Sequence, residues 1–112
     1  MSMPLSAELL DGIVLAVLQQ SDAYGYALTQ QIQAVISISP STLYPVLRRL
    51  KAQGALTTYD QPYEGRNRRY YRITPAGTKL LQETETNWQT FKQQIEHFLP
   101  DAGNQAKEEK RS

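Results

Sequence analysis

The 112-residue chain carries 12 Lys and Arg against 11 Asp and Glu, one His and no Cys, a length that suits one domain with a modest core. The lack of cysteine excludes a disulfide framework, a thiolate nucleophile and a thiolate metal site, and His97 has no second histidine with which to share a metal. The longest apolar run, Ile13 to Leu18, falls far short of the roughly 20 residues of a membrane span, and no signal segment opens the chain, so a soluble cytoplasmic protein is expected.

Residues 6 to 20 read as a helix. Leu9, Leu10, Ile13, Val14, Val17 and Leu18 recur at helical spacing, and Ala7, Leu15 and Ala16 widen the apolar surface to more than one side. Ser21-Asp22 breaks the pattern, with Asp22 as a candidate cap for the next helix. That second helix is expected from Tyr24 to Ile36, with Ala27, Leu28, Ile32 and Val35 facing inward. Ser39-Pro40 then starts a third helix, since proline suits the first helical position, and Gly54 stops it. Pro45 removes one backbone bond inside that span, so either the helix starts nearer Ser41 or its first turns are kinked.

Leu56 to Tyr59 and Arg69 to Thr74 are strand-like, and the polar loop between them holds Pro62, Gly65 and Asn67. The pattern predicts a β-hairpin with a long basic tip. Thr74-Pro75 opens a fourth helix that reaches about Leu99; Pro100 ends it, and residues 100–112 form a charged tail expected to be disordered. Three helices, a hairpin and a helix make a mainly α fold. It is expected to be a winged helix-turn-helix over residues 6–74, followed by a long C-terminal dimerisation helix over 75–99.

Charge is uneven along this order. Residues 1–38 carry a net −3 and residues 75–112 a net −1, whereas residues 39–74 hold seven basic groups against Asp60 and Glu64, a net +5. Such a basic middle suits a domain that turns one face to double-stranded DNA. In the third helix Leu43, Val46, Leu47 and Leu50 form a buried stripe, and Ser41, Pro45, Arg48 and Ala52 form the opposite face, flanked by Tyr44 and Arg49. A recognition helix reads base edges from its N-terminal half, which selects Ser41, Thr42, Tyr44 and Arg48. Arg48 suits bidentate contact with guanine, and Lys51 suits the backbone. The wing contributes Arg66, Arg68 and Arg69, placed to follow the backbone or enter a minor groove. Of Tyr70 and Tyr71, one is expected on the core and the other in solvent, and neither is expected to stack on bases.

Leu81, Thr84, Trp88, Phe91, Ile95 and Phe98 alternate by three and four residues in the fourth helix, the spacing of a coiled-coil seam. A second copy of the chain is the simplest partner for it, and a twofold dimer would set two third helices about one DNA turn apart on a palindromic operator. Trp88 has two readings: a packing anchor between subunits, or a stacking surface for a planar aromatic effector. No cofactor is implied. A competing function class, a winged helix that binds protein and not DNA, is opposed by the basic middle third. An enzyme is opposed by the lack of a glycine-rich phosphate loop and of an orienting acid near His97.

Three segments carry a family resemblance. They are Tyr24-Gly25-Tyr26; Ser41-Thr42-Leu43-Tyr44-Pro45 with Leu47, Arg49-Leu50 and Gly54; and Arg69-Tyr70-Tyr71-Arg72-Ile73-Thr74 with Ala76-Gly77. In order and spacing they resemble the PadR family of bacterial transcriptional regulators, in its short-tailed branch, over about residues 9 to 99. The resemblance implies a homodimeric winged helix-turn-helix repressor whose C-terminal helix dimerises and whose first helix packs on the partner. Trp88 is similar in place to the tryptophan that stacks on planar drugs in the short multidrug-sensing members.

Overall fold

A computed structural model of the chain describes residues 3–101. The first and last of its four helices open where a short polar side chain meets an N–H group that a helix start leaves without a partner. The Ser6 hydroxyl accepts from the Leu9 N–H at 3.1 Å and begins α1, Ala7–Gln20. A two-residue strand β1, Ala23–Tyr24, runs directly into α2, Gly25–Gln33. Helix α3, Pro40–Ala52, has proline at its start and ends in a Schellman turn. There Gly54 takes φ +81°, its N–H donates to the Lys51 carbonyl at 3.0 Å, and the Ala55 N–H donates to the Leu50 carbonyl at 2.9 Å. Strands β2, Leu56–Tyr63, and β3, Arg66–Ile73, lead to α4, Pro75–Phe98.

Thr74 caps α4 and ties it to the end of α3. Its Oγ1 accepts from the Gly77 N–H at 3.1 Å and donates to the Gly54 carbonyl at 2.6 Å. Gly77 permits this approach, because a Cβ there would collide with the Ala55 carbonyl oxygen. The antiparallel sheet has the order β1-β3-β2, which leaves β2 at an edge. The fold is thus mainly helical with a small sheet, a winged helix.

Helix α1 is the centre of the core. Its Leu10, Val14, Leu15 and Leu18 pack with Leu28 and Ile32 of α2, Leu43, Leu47 and Leu50 of α3, Leu56 of β2 and Leu81 of α4. At roughly 2 kcal/mol for each fully buried leucine, this cluster is the dominant favourable term. Helix α4 crosses α1 at Gly12, where a Cβ would lie 2.7 Å from Thr84 Cγ2. Two side-chain hydrogen bonds flank the crossing: Thr78 Oγ1 to Gln19 Oε1 at 3.1 Å, and Asn87 Nδ2 to Glu8 Oε2 at 2.8 Å. Beyond it the 24-residue α4, about 36 Å long at 1.5 Å per residue, projects from the domain and sets the 65 Å long axis.

Several expectations need correction. The hairpin has no long tip: β2 and β3 pair from Leu56↔Ile73 out to Tyr63↔Arg66, and only Glu64-Gly65 turns. Both turn residues have positive φ, 50° and 77°, the type I′ geometry whose twist matches paired strands. Pro62 does not end the strand, since an edge strand tolerates a residue without an N–H. Helix α2 stops at Gln33, so Val35 is 85% exposed and not inward. Asp22 does not cap α2, whose N-cap is Tyr24. Helix α3 does begin at Pro40, with Pro45 inside it. Leu81 and Thr84 are buried against the chain's own core, so only the later part of the α4 seam is left exposed. The expected disordered tail, from residue 102 onward, lies outside the described residues. Among those residues no helix is long and apolar enough to cross a membrane.

Candidate nucleic-acid interface

The exposed side of α3 follows from its buried one. Leu43, Val46, Leu47 and Leu50 face the core, which turns Ser41, Thr42, Arg48 and Lys51 to solvent. Three hydroxyls gather at the helix start: Ser39 Oγ lies 2.9 Å from Ser41 Oγ and 3.1 Å from Thr42 Oγ1. Helix N-termini and hydroxyls both suit phosphate oxygens. Pro45 lies on the same exposed side, so the carbonyl of Ser41 loses its helical amide where water or a ligand can replace it. Tyr44 stands at the flank, 37% exposed, with its ring against α2; a Cβ on Gly25 would be 3.2 Å from Tyr44 Cε1.

The cations of this region divide into two groups. Arg49 forms a two-pronged pair with Asp11 of α1, Nη1 to Oδ2 at 3.0 Å and Nη2 to Oδ1 at 2.5 Å. Its hydrogen bonding to Asp11 raises the Arg49 pKa above its ordinary value, with partial burial opposing and the Asp11 charge adding to it. Arg72 donates to Asp22 Oδ2 at 3.0 Å, and the Tyr59 hydroxyl donates to the same oxygen at 2.7 Å. Bonding to Asp22 raises both the Tyr59 phenol and the Arg72 guanidinium. These contacts brace α1 to α3 and the start of β1 to the wing. The side chains of Arg48, Lys51 and Arg66, by contrast, have no hydrogen bond or ion pair among the described residues.

Strand alternation separates the wing arginines. Tyr71 and Ile73 of β3 pack against the core, so Arg69 shares their face, and it reaches Asp60 at 3.4 Å. Arg66 and Arg68 lie on the outer face with Tyr70 and Arg72. The guanidinium of Arg68 sits over two rings, 4.2 Å from the centroid of Tyr24 and 3.6 Å from that of Tyr63. Tyr70 stacks on Tyr59 with centroids 5.5 Å apart. The expected contact residues are therefore brought to two surfaces, the solvent side of α3 and the outer wing face, with Arg69 apart from both. Tyr24, Tyr59, Tyr63 and Asp22 join the site here without having been expected in it; the period-2 order of Tyr63, Arg66, Arg68, Tyr70 and Arg72 is legible once Glu64-Gly65 is read as a tight turn.

A second feature lies away from these surfaces. Leu5, Leu9, Ile13, Leu81, Thr84 and Trp88 line an open apolar groove of about 380 Å³ between α1 and α4. Trp88, 39% exposed, is at its rim, and Phe91, Ile95 and Phe98 continue the apolar line along α4 at 51%, 41% and 77% exposed. His97 meets Phe98 edge-on at 4.9 Å. No cluster of metal-ligating side chains occurs among the described residues.

Several proteins similar to this chain are described as transcription regulators. The transcriptional regulator Rv3488 of Mycobacterium tuberculosis is 44% identical over 64 residues, covering 56% of this chain and 60% of that protein. The crystal structure of smu.1704 from Streptococcus mutans UA159 superposes with a TM-score of 0.81 at 39% identity, covering 88% of this chain and 93% of that one. The PadR family transcriptional regulator of Eggerthella lenta DSM 2243 superposes with a TM-score of 0.69 at 37% identity, covering 83% and 87%. The sequence profile described as the transcriptional regulator PadR-like family matches residues 14–83, more than half of the chain. The chain belongs to the PadR-like family of transcriptional regulators.

Proposed function

We propose that the chain works as a homodimeric repressor that binds a twofold-symmetric DNA operator through α3 and the wing. The observation that carries this reading is the sorting of its cations. Arg49 and Arg72 are held by Asp11 and Asp22, whereas Arg48 and Lys51 stand on the solvent side of α3 without a partner among the described residues. Unpaired cations beside a helix N-terminus rich in hydroxyls are what phosphate and base-edge contact requires. Dimerisation is supported by Trp88, Phe91, Ile95 and Phe98, a row of exposed apolar side chains on a projecting helix, next to an apolar groove on the same chain. Selection of bound duplexes from genomic fragments tests the reading. A recurrent palindrome is expected, and Arg48→Ala should relax preference at one position per half-site, whereas Lys51→Ala should weaken all sequences alike.

A planar aromatic effector is the second reading, favoured by Trp88 at the rim of the groove. A ligand stacked there would lie where the partner subunit docks and would alter the spacing of the two α3 helices. Quenching of the single tryptophan together with loss of DNA binding supports it. Compounds that quench without releasing DNA, or that do neither, leave Trp88 with a packing role.

A further inference from the structure

The outer wing face holds an arrangement that DNA binding by basic charge does not by itself require. Cross-strand pairing sets Tyr63 opposite Arg66, Gln61 opposite Arg68 and both Tyr59 and Tyr24 opposite Tyr70. Tyr63 and Tyr24 thus stand diagonally on either side of Arg68, within reach of long and aromatic side chains. The half-buried Arg68 guanidinium lies over both rings, at 3.6 Å and 4.2 Å from their centroids. Tyr24 is itself braced by Tyr70 at 5.7 Å and by Tyr26 at 6.3 Å.

Ring contact and ion pairing hold an arginine with opposite consequences. A carboxylate, as Asp60 is to Arg69 and Asp22 to Arg72, neutralises the charge and occupies the N–H donors. Stacking on a phenol face instead fixes the plane of the guanidinium, keeps its charge, and leaves its donors pointing outward in that plane. No acceptor for them occurs among the described residues. An anion with several oxygens is the ligand that completes such a site, and a cation already held in place loses less freedom on binding it.

We propose that Tyr24 and Tyr63 are positioning residues that clamp Arg68 for contact with a DNA phosphate. The inference rests on the DNA-binding reading above and extends it to residues that touch no DNA themselves. Tyr63 is the better probe, because it is 46% exposed on an edge strand and its replacement leaves the core untouched.

The test titrates a selected operator and a scrambled duplex, over a range of salt, with the full-length wild type, Tyr63→Leu, Tyr63→Phe, Arg68→Ala and the Tyr63→Leu/Arg68→Ala double variant. Arg68→Ala should weaken both duplexes and flatten the dependence of log affinity on log salt by about one per wing. Tyr63→Leu should bind about fivefold more weakly with the salt slope retained, since the charge survives and only its placement is lost. Tyr63→Phe, which keeps the ring, should match wild type, and the double variant should be no weaker than Arg68→Ala alone. The clamp is overturned if Tyr63→Leu binds like wild type while Arg68→Ala does not, if the two changes add, or if Tyr63→Phe is as weak as Tyr63→Leu. A change of sequence preference in Arg68→Ala overturns the phosphate assignment. Binding of neither duplex by the wild type overturns the clamp together with the DNA reading beneath it, whereas equal affinity for the two, with Arg48→Ala silent, overturns sequence reading by α3 and leaves the clamp to be judged on the Tyr63 and Arg68 variants.

Discussion

Replacing Gly12 by alanine puts a methyl group into the crossing of α1 and α4, and its cost can be worked from one contact. The new Cβ would lie 2.7 Å from Thr84 Cγ2, about 1 Å inside ordinary carbon contact, and 3.5 Å from Thr84 Cβ, which is normal. Alanine in mid-helix favours α1 by about 1 kcal/mol over glycine. Overpacking a buried site costs about 1–3 kcal/mol, so the single variant should lose about 1 kcal/mol net. Thr84→Ser deletes only the offending methyl and by itself should cost about 1 kcal/mol. Together the changes relieve the clash and fill the space vacated, so the double variant should equal or exceed wild type. The implied coupling is about 2 kcal/mol. Urea unfolding at one fixed protein concentration measures it, since any self-association shifts the midpoint. Additive losses in the double variant would refute this account of the crossing.

The remaining expectations concern other elements. Phe91→Glu, on the exposed part of α4, should shift sedimentation toward monomer and weaken operator binding more than binding of a single half-site. Gly65→Val, at φ 77° in the hairpin turn, should lower stability by about 1–2 kcal/mol, read as a fall in the thermal midpoint, while Gly65→Asn should be far milder. Asp11→Asn should cost no more than about 1 kcal/mol in urea unfolding, because Arg49 is 41% exposed and solvent screens the pair. A much larger loss would mean that the α1–α3 contact depends on that pair more than on the leucines beneath it.

Much of the fold is legible in the sequence because it rests on local rules. Ser6 and Thr74 cap helix starts, Pro40 and Pro75 occupy first helical positions and Gly54 ends a helix, and Leu43, Val46, Leu47 and Leu50 fall on the buried side that their spacing requires. The departures occur where distant contacts decide. β1 is only two residues long and exists because β3 offers it a partner. Pro62 looks like a loop residue until the sheet order places β2 at an edge. The α4 seam has one period throughout, yet Leu81 and Thr84 belong to the core because Gly12 lets α1 approach there. The site shows the same division. The solvent side of α3 follows from helical periodicity, whereas the pairing of Arg49 with Asp11, 38 residues away, and of Arg72 with Asp22, 50 residues away, depends on the assembled fold.

The central claim is that the solvent side of α3 reads DNA sequence, and competition binding tests it most directly. Labelled operator obtained by genomic selection is bound by the wild type at physiological salt and then displaced with unlabelled operator or with scrambled duplex. A selectivity of about a thousandfold or more is predicted, and Arg48→Ala should reduce it while leaving the fold intact. Equal displacement by the two duplexes, or selectivity unchanged in Arg48→Ala, would contradict it.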